Sequence, residues 1–293
     1  MRYQSSDEDS ARWDGFPFRP GDIVISTRSK SGTTWMQMIC ALLIFQTPDL
    51  PVPLATLSPW LDWLIVPRDE VLERLAAQPH RRFIKTHTPL DGVPIDPRAT
   101  YVVVARHPLD MAVSLFHQGD NLDRERIAEI LGRPAAPARD SAPTPVRSMH
   151  DSLLRWIDND PRPAEDLDSL PGVMWHLSDA WRRRHEPNVL LVHYADLSAD
   201  LASQMRRIAD RLDIAVPDAT WPVLVEAAGF AQMRKRAVHL TPDPAGIMKD
   251  RDRFFRRGTS GAGRELLTDA EFAHYNKRAA ALAPPDLLTW LHR

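Results

Sequence analysis

Ser29-Lys30-Ser31-Gly32-Thr33-Thr34-Trp35 stands between a short apolar strand, Asp22-Ile23-Val24-Ile25-Ser26, and a helix-length apolar run from Met36 to Phe45. A strand, a tight loop of small residues and a helix make an anion cradle. The loop N–H groups and the helix N-terminus direct partial positive charge at one spot. Gly32 lets the backbone come close to a ligand. Lys30 adds a full charge, and Ser31, Thr33 and Thr34 add hydroxyl donors. The Walker A loop of NTPases does not fit, because its lysine follows a glycine, whereas Lys30 precedes Gly32. The competing reading of so short a motif is a plain turn, and the rest of the chain decides.

Arg82-Phe83-Ile84-Lys85-Thr86-His87 reads as a second strand, and Tyr101-Val102-Val103-Val104-Ala105 as a central strand buried on both faces. Val189-Leu190-Leu191-Val192-His193 is a fourth. In open α/β sheets functional groups collect at the carboxyl ends of the strands. The pattern places Lys85 and His87, Arg106, and Tyr194 at three such ends. Between the strands, apolar spacing predicts helices over 33–46 (stopped by Pro48, Pro51 and Pro53), over 69–77 and from Pro108 onward with Leu109, Val113 and Phe116 on one face. Further helices are expected over 173–184, after a Ser198 cap, over 221–228 and over 268–282. Alternating β and α predicts a single α/β domain, a mainly parallel sheet with helices on both faces and a P-loop-kinase-like nucleotide-binding core.

Residues 1–20 read as an extended arm. From 119 to 171 the chain is broken by Pro134, Pro137, Pro143, Pro145, Pro161, Pro163 and Pro171, with one amphipathic piece at 150–158. A long interrupted segment within a compact domain suggests a lid over the site.

The 293 residues are 43% hydrophobic and carry a net charge of −2, so a polycation that binds nucleic-acid polymers or anionic membranes is not implied. Any anion site is therefore a local cluster. Cys40 is the single cysteine, which suits a reducing cytoplasm. Met1 to Ser10 lack an apolar run, and Met36–Phe45 is too short to span a bilayer. The central strand ends in Arg106, where a magnesium-dependent NTPase needs an acid, and no metal-ligand spacing is visible. The expectation is an anion held by side-chain cations, with no metal. Lys30 and Lys85 form one group of cations and Arg106, Arg256 and Arg257 another. Two groups suit a nucleotide with two anionic ends, such as 3′-phosphoadenosine 5′-phosphosulfate (PAPS).

Lys30–Trp35, Lys85-Thr86-His87, Arg106 with Ser114, and Arg256-Arg257-Gly258-Thr259-Ser260-Gly261 occur in one order along nearly the whole chain. In this combination the sequence resembles the cytosolic PAPS-dependent sulfotransferases. The resemblance implies that Lys30, Ser31, Gly32, Thr33, Thr34 and Trp35 hold the 5′-phosphosulfate, with Trp35 near the adenine. It implies that Arg106, Ser114, Arg256, Arg257 and Gly258 hold the 3′-phosphate, and that Tyr194, Phe230 and Met233 lie beside the adenine. His87 is then the general base, and Lys30 and Lys85 stabilise the leaving phosphate. Phe18, Trp60, Trp63, His87 and Phe116 are candidates for the pocket of a small, apolar or aromatic acceptor carrying a hydroxyl or an amine. For Phe18, Trp60 and Trp63, plain core packing is the other reading.

The sequence also departs from that family. Arg28-Ser29 replaces Tyr-Pro before the lysine, so Arg28 either touches the phosphosulfate or faces solvent. Gly261-Ala262-Gly263-Arg264 replaces Gly-Asp-Trp-Lys, and Ala228-Gly229 replaces Thr-Ser, which implies a looser hold on the nucleotide. Arg264 and Thr268 fit the family's dimer motif but Asp269 and Ala273 do not, which leaves the oligomeric state open. Two other readings remain at this point: a small-molecule kinase of the same general fold, and a nucleotide-binding protein without catalysis.

Overall fold

A computed structural model describes residues 1–133, 148–241, 243 and 245–293. Four parallel strands, β1 (Ile23–Thr27), β2 (Phe83–Thr86), β3 (Thr100–Ala105) and β4 (Val189–His193), pair in the order β2-β1-β3-β4. β1 meets β2 on one side (Ile25 opposite Lys85) and β3 on the other (Ile25 opposite Val102). The chain leaves β1 for β2 on one flank and then crosses back to β3 on the other, so the carboxyl end of β1 is at the switch point where such sheets open a crevice.

Period-two alternation sends the strand side chains to two cores. Val24, Ile84, Tyr101, Val103 and Val189 face one layer. It holds the helices Pro108–Asn121, Met149–Asp158, Leu170–Arg182 and Asp269–Leu282. Ile23, Ile25, Phe83, Val102, Val104 and Val192 face the other. That layer holds α1 (Thr33–Phe45) and the helices Leu201–Arg211 and Trp221–Ala228. A third, smaller apolar cluster, around Trp63, Ile65, Ile127 and Ile247, lies apart from both.

Element boundaries differ from the sequence expectations where local chemistry intervenes. α1 ends at Gln46, whose left-handed backbone (φ 53°) closes the last turn on Leu42, before any of the three prolines. The helix expected from 173 starts at Leu170, capped by Ser169 with Pro171 in its first turn. Asp200, not Ser198, caps the helix Leu201–Arg211, because Tyr194–Ala199 is itself a helical turn that absorbs Ser198. The N-terminal arm is not extended throughout: Ser10–Trp13 is a 3-10 turn, and Trp13 is buried.

The stretch 119–171 is divided in use. Residues 119–121 finish the helix Pro108–Asn121, which Leu122 caps by donating to the Gly119 carbonyl, Leu153 and Ile157 are core, and Pro134, Pro137, Pro143 and Pro145 lie outside the described residues. Among the described residues no helix is long and apolar enough to cross a membrane.

Candidate active site

β1 delivers the loop 28–32 to the sheet's carboxyl edge. Lys30 (φ 64°) and Gly32 (φ 109°) both lie in the left-handed region. A Cβ on Gly32 would stand 3.1 Å from the Tyr194 ring, so backbone conformation and close packing both require glycine there. Gly32 offers no capping side chain to α1, which leaves the first-turn N–H groups available to an anion. A hydrogen bond between the Thr27 and Thr33 hydroxyls ties strand to helix across the loop.

A cavity of about 440 Å³ opens at this edge. Its lining includes Lys30, Gly32, Thr33, Thr34, Trp35, Lys85, His87, Arg106, Ser114, Tyr194, Phe230, Met233, Arg256, Arg257 and Gly258. All four strands thus feed one site through the residues at or just beyond their ends. Lys30 Nζ stands 4.0 Å above the Phe254 ring and 3.3 Å from Gln118 Oε1, with no carboxylate partner among the described residues. Burial pushes its pKa down to about 7, and the nearby Arg106, Lys85 and Arg256 push in the same direction. Lys85 Nζ lies 3.6 Å above the Trp60 ring. Burial lowers Lys85 to about 8, against the pull of Glu8 and Asp62.

Arg106 donates to the Lys30 carbonyl (3.3 Å) and the Thr259 carbonyl (3.0 Å), and its guanidinium lies 4.4 Å from the Tyr194 ring centre. Its Nε is buried without a partner among the described residues. The basic loop closes on the cavity through two tight glycines. A Cβ on Gly258 would come within 2.5 Å of the Phe230 ring. One on Gly263 would come within 2.4 Å of Leu109. The N–H groups of Gly261 and Gly263 both donate to Asp110 (2.8 and 2.9 Å). The glycine at 263, where the resembled family has tryptophan, is therefore what lets this loop lie directly on the helix Pro108–Asn121. Trp35 donates its indole N–H to the Ala228 carbonyl (2.9 Å) and sets its ring edge-on to Tyr194.

His87 is buried one residue past β2. Its Nδ1 lies 2.5 Å from the Thr27 carbonyl oxygen. A carbonyl can only accept, so Nδ1 carries the proton and Nε2 keeps a lone pair. Among the described residues Nε2 has no partner. Burial lowers the His87 pKa well below 6.5, and Lys85 and Arg28 add to this, so the ring is neutral at pH 7. Two residues that the sequence reading did not assign hold its backbone. Asp62 accepts from the His87 N–H (3.3 Å) and from the hydroxyls of Thr86 and Thr88 (2.9 Å each). Arg28 donates to the His87 carbonyl and, at 2.6 Å, to Asp168. Arg28 is 3% exposed, so it neither faces solvent nor lines the cavity.

Phe18 and Phe116 do not reach the cavity. Phe18 packs against Trp13, Phe16 and Tyr101, toward the amino end of β3 and away from the site edge. Phe116 leaves its helix on another face: Ser114, Leu115, Gln118, Gly119 and Leu122 point inward, and a residue two positions from Ser114 and Gln118 does not share their face. Ser31 is buried within the turn, its N–H donating to the Arg28 carbonyl. Trp60 and Trp63 both line the cavity, stacked 5.0 Å apart. Beyond them the wall includes Asp7, Glu8, Leu122, Arg124, Ile127, Asp168, Ile247 and Met248. None of these carries a motif; Asp62, between Trp60 and Trp63, and Arg28, just before the cradle, are the residues around His87 with a sequence cue.

A family model described as "Sulfotransferase domain" matches residues 20–281. A "Glycolipid sulfotransferase" of Mycobacterium bovis is 44% identical, over 99% of this chain and 93% of that protein. "Sulfotransferase 1A1" of Bos taurus is 26% identical, over 91% of this chain and 86% of that protein. Among solved structures, retinol dehydratase with androsterone and the inactive cofactor PAP superimposes with a TM-score of 0.68 at 22% identity, covering 94% of this chain and 86% of that one. A mouse sulfotransferase complexed with PAP gives 0.66 at 21% identity, covering 95% and 90%.

Proposed function

The chain belongs to the sulfotransferase domain family, and from that premise we propose that it moves a sulfuryl group from PAPS to a hydroxyl on the head group of an amphiphilic, glycolipid-like acceptor. The observation that carries the donor half is the convergence of Lys30, Lys85, Arg106 and Arg256 on one cavity, where burial, joined by the neighbouring cations, lowers the Lys30 pKa. Four cations, none in an ion pair with a described residue, suit a ligand with several negative charges. The cradle of Lys30–Thr34 would take the phosphosulfate, the arginines the 3′-phosphate, and Trp35, Tyr194 and Phe230 the adenine. Bound there, the nucleotide supplies an activated sulfuryl group.

The chain's own residues supply the rest. His87 Nε2 takes the acceptor's hydroxyl proton as the new O–S bond forms. The S–O bond to the nucleotide's phosphate breaks, and Lys30 and Lys85 meet the charge left on that oxygen. Asp62, Arg28 and the Thr27 carbonyl hold the imidazole in one position and one tautomer. The acceptor half is of mixed character, with Trp60, Trp63 and charged groups near His87, then the apolar side chains Leu122, Ile127, Ile247 and Met248. That gradient suits a polar head and an apolar body, in keeping with the names of the relatives at 43 and 44% identity. A reducing cytoplasmic setting fits the single, buried Cys40.

The test is transfer of label from [35S]PAPS to a short-chain glycolipid, with thermal stabilisation by PAP compared with ATP and magnesium. Label transfer together with stabilisation by PAP is the expected result. Stabilisation by ATP and magnesium alone would replace this reading with a kinase.

A further inference from the structure

Glu8 reaches the cavity by an unusual route. The N-terminal arm runs antiparallel to residues 62–64: Glu8 bridges Trp63, the Leu64 N–H donates to the Asp7 carbonyl (2.9 Å), and the Asp9 N–H donates to the Asp62 carbonyl (2.8 Å). Asp7 fixes the arm from the other side, accepting from Arg133 (3.2 Å) with Arg124 at 3.9 Å. This double tether seats the neighbouring Glu8 in the cavity wall with Lys85, His87 and Trp63. There its carboxyl makes no hydrogen bond or ion pair with any described residue. Burial, with Asp62 and Asp168 nearby, raises it to about 8 even though Arg28 and Lys85 pull it down.

An acid held in a half-buried cleft without a partner is costly unless a ligand completes it. The nucleotide has its own partners in Lys30–Thr34, Arg106 and Arg256, whereas Glu8 stands on the arm paired with Trp63. The tethers put Glu8 in the cavity that His87 and Lys85 also line, beside Trp63, where the reading above seats the acceptor. We infer that Glu8 is a specificity-determining residue: its carboxyl accepts a hydrogen bond from a second hydroxyl of the acceptor, so the site selects polyhydroxylated head groups over lone alcohols. This rests on the transferase reading above. A site built to bond a hydroxyl discriminates steeply against ligands that lack it, because its own polar group is left unpaired.

The experiment compares octyl β-glucoside with 1-octanol, which share a tail, as acceptors for the full chain with PAPS. The wild type should favour the glucoside in kcat/KM. Glu8→Ala should reduce that preference by roughly 10- to 100-fold, mainly through the glucoside KM, with the nucleotide KM little changed. Glu8→Gln keeps shape and an acceptor oxygen and should restore most of the preference. The inference is overturned if the wild type shows no preference, if Glu8→Ala leaves the preference intact, or if both variants lose the two acceptors equally together with PAP stabilisation, which is the mark of a purely structural role. Should the wild type sulfate neither acceptor while PAP still stabilises it, the polyol inference fails and nucleotide binding stands. Should PAP not stabilise it either, both readings fall.

Discussion

The two halves of the cavity are built in opposite ways. The half we assign to the nucleotide is assembled from residues at or just beyond the carboxyl ends of β1, β2, β3 and β4 plus one basic loop, and its charges are nearly all of one sign. The half we propose for the acceptor is assembled from the N-terminal arm, the 60–63 turn, residues 122–127 and 247–248, and mixes acids, bases and apolar walls. Like charges crowded at a sheet edge store repulsion that only an anion relieves, so that half is chemically committed. Mixed walls from unrelated segments can vary one by one, so the second half can change acceptor without disturbing the first. His87 and Lys85 stand on the boundary between them.

That contrast can be broken experimentally. The largest effect should come at the boundary. His87→Ala should lower kcat by about 10²–10⁴ while PAP stabilises the variant as it does the parent; a loss of PAP binding would place His87 in the nucleotide half instead. Lys85→Ala should cost about 10²–10³ in kcat, read from single-turnover rates at saturating nucleotide. Arg106→Ala should raise the nucleotide Kd by about 10- to 100-fold, as expected for one charge-assisted contact, with the acceptor KM changed far less.

Protons should report the same division. Lys30 and Lys85 sit near 7 and 8 without ligand, so they lose charge as pH rises through that range. A bound anion favours their charged forms. PAP should therefore bind with proton uptake at pH 8, and more weakly as pH rises from 7 to 9, which calorimetry in buffers of different ionisation enthalpy measures. His87 acts in the other direction. Its depressed pKa keeps it neutral at pH 7, so kcat should hold through neutrality and fall only below the ordinary histidine range. The smallest effect on activity belongs to Phe18→Ala. Lost packing against Trp13 and Phe16 should cost about 2 kcal/mol of stability by denaturant titration and leave the acceptor KM unmoved.

Much of this was legible from residue order. Local hydrophobic period determines strands and helices, and a right-handed β–α–β path leaves the loops after Thr27, Thr86, Ala105 and His193 at one edge. The cradle Lys30–Trp35, and the cations and ring after the other strands, are therefore readable as a site before any fold is seen. What the tertiary structure alone decided are choices among partners. Arg28 turns inward to the His87 carbonyl and Asp168, Glu8 arrives on an arm whose sequence carries no motif, and Phe18 goes to the core beneath the other end of β3. The physical reason is range. Periodicity records that a side chain is buried or exposed, because that depends on its own face of its own element. Which carboxylate meets which arginine depends on where distant segments come to rest, and no local pattern along the chain carries that distance.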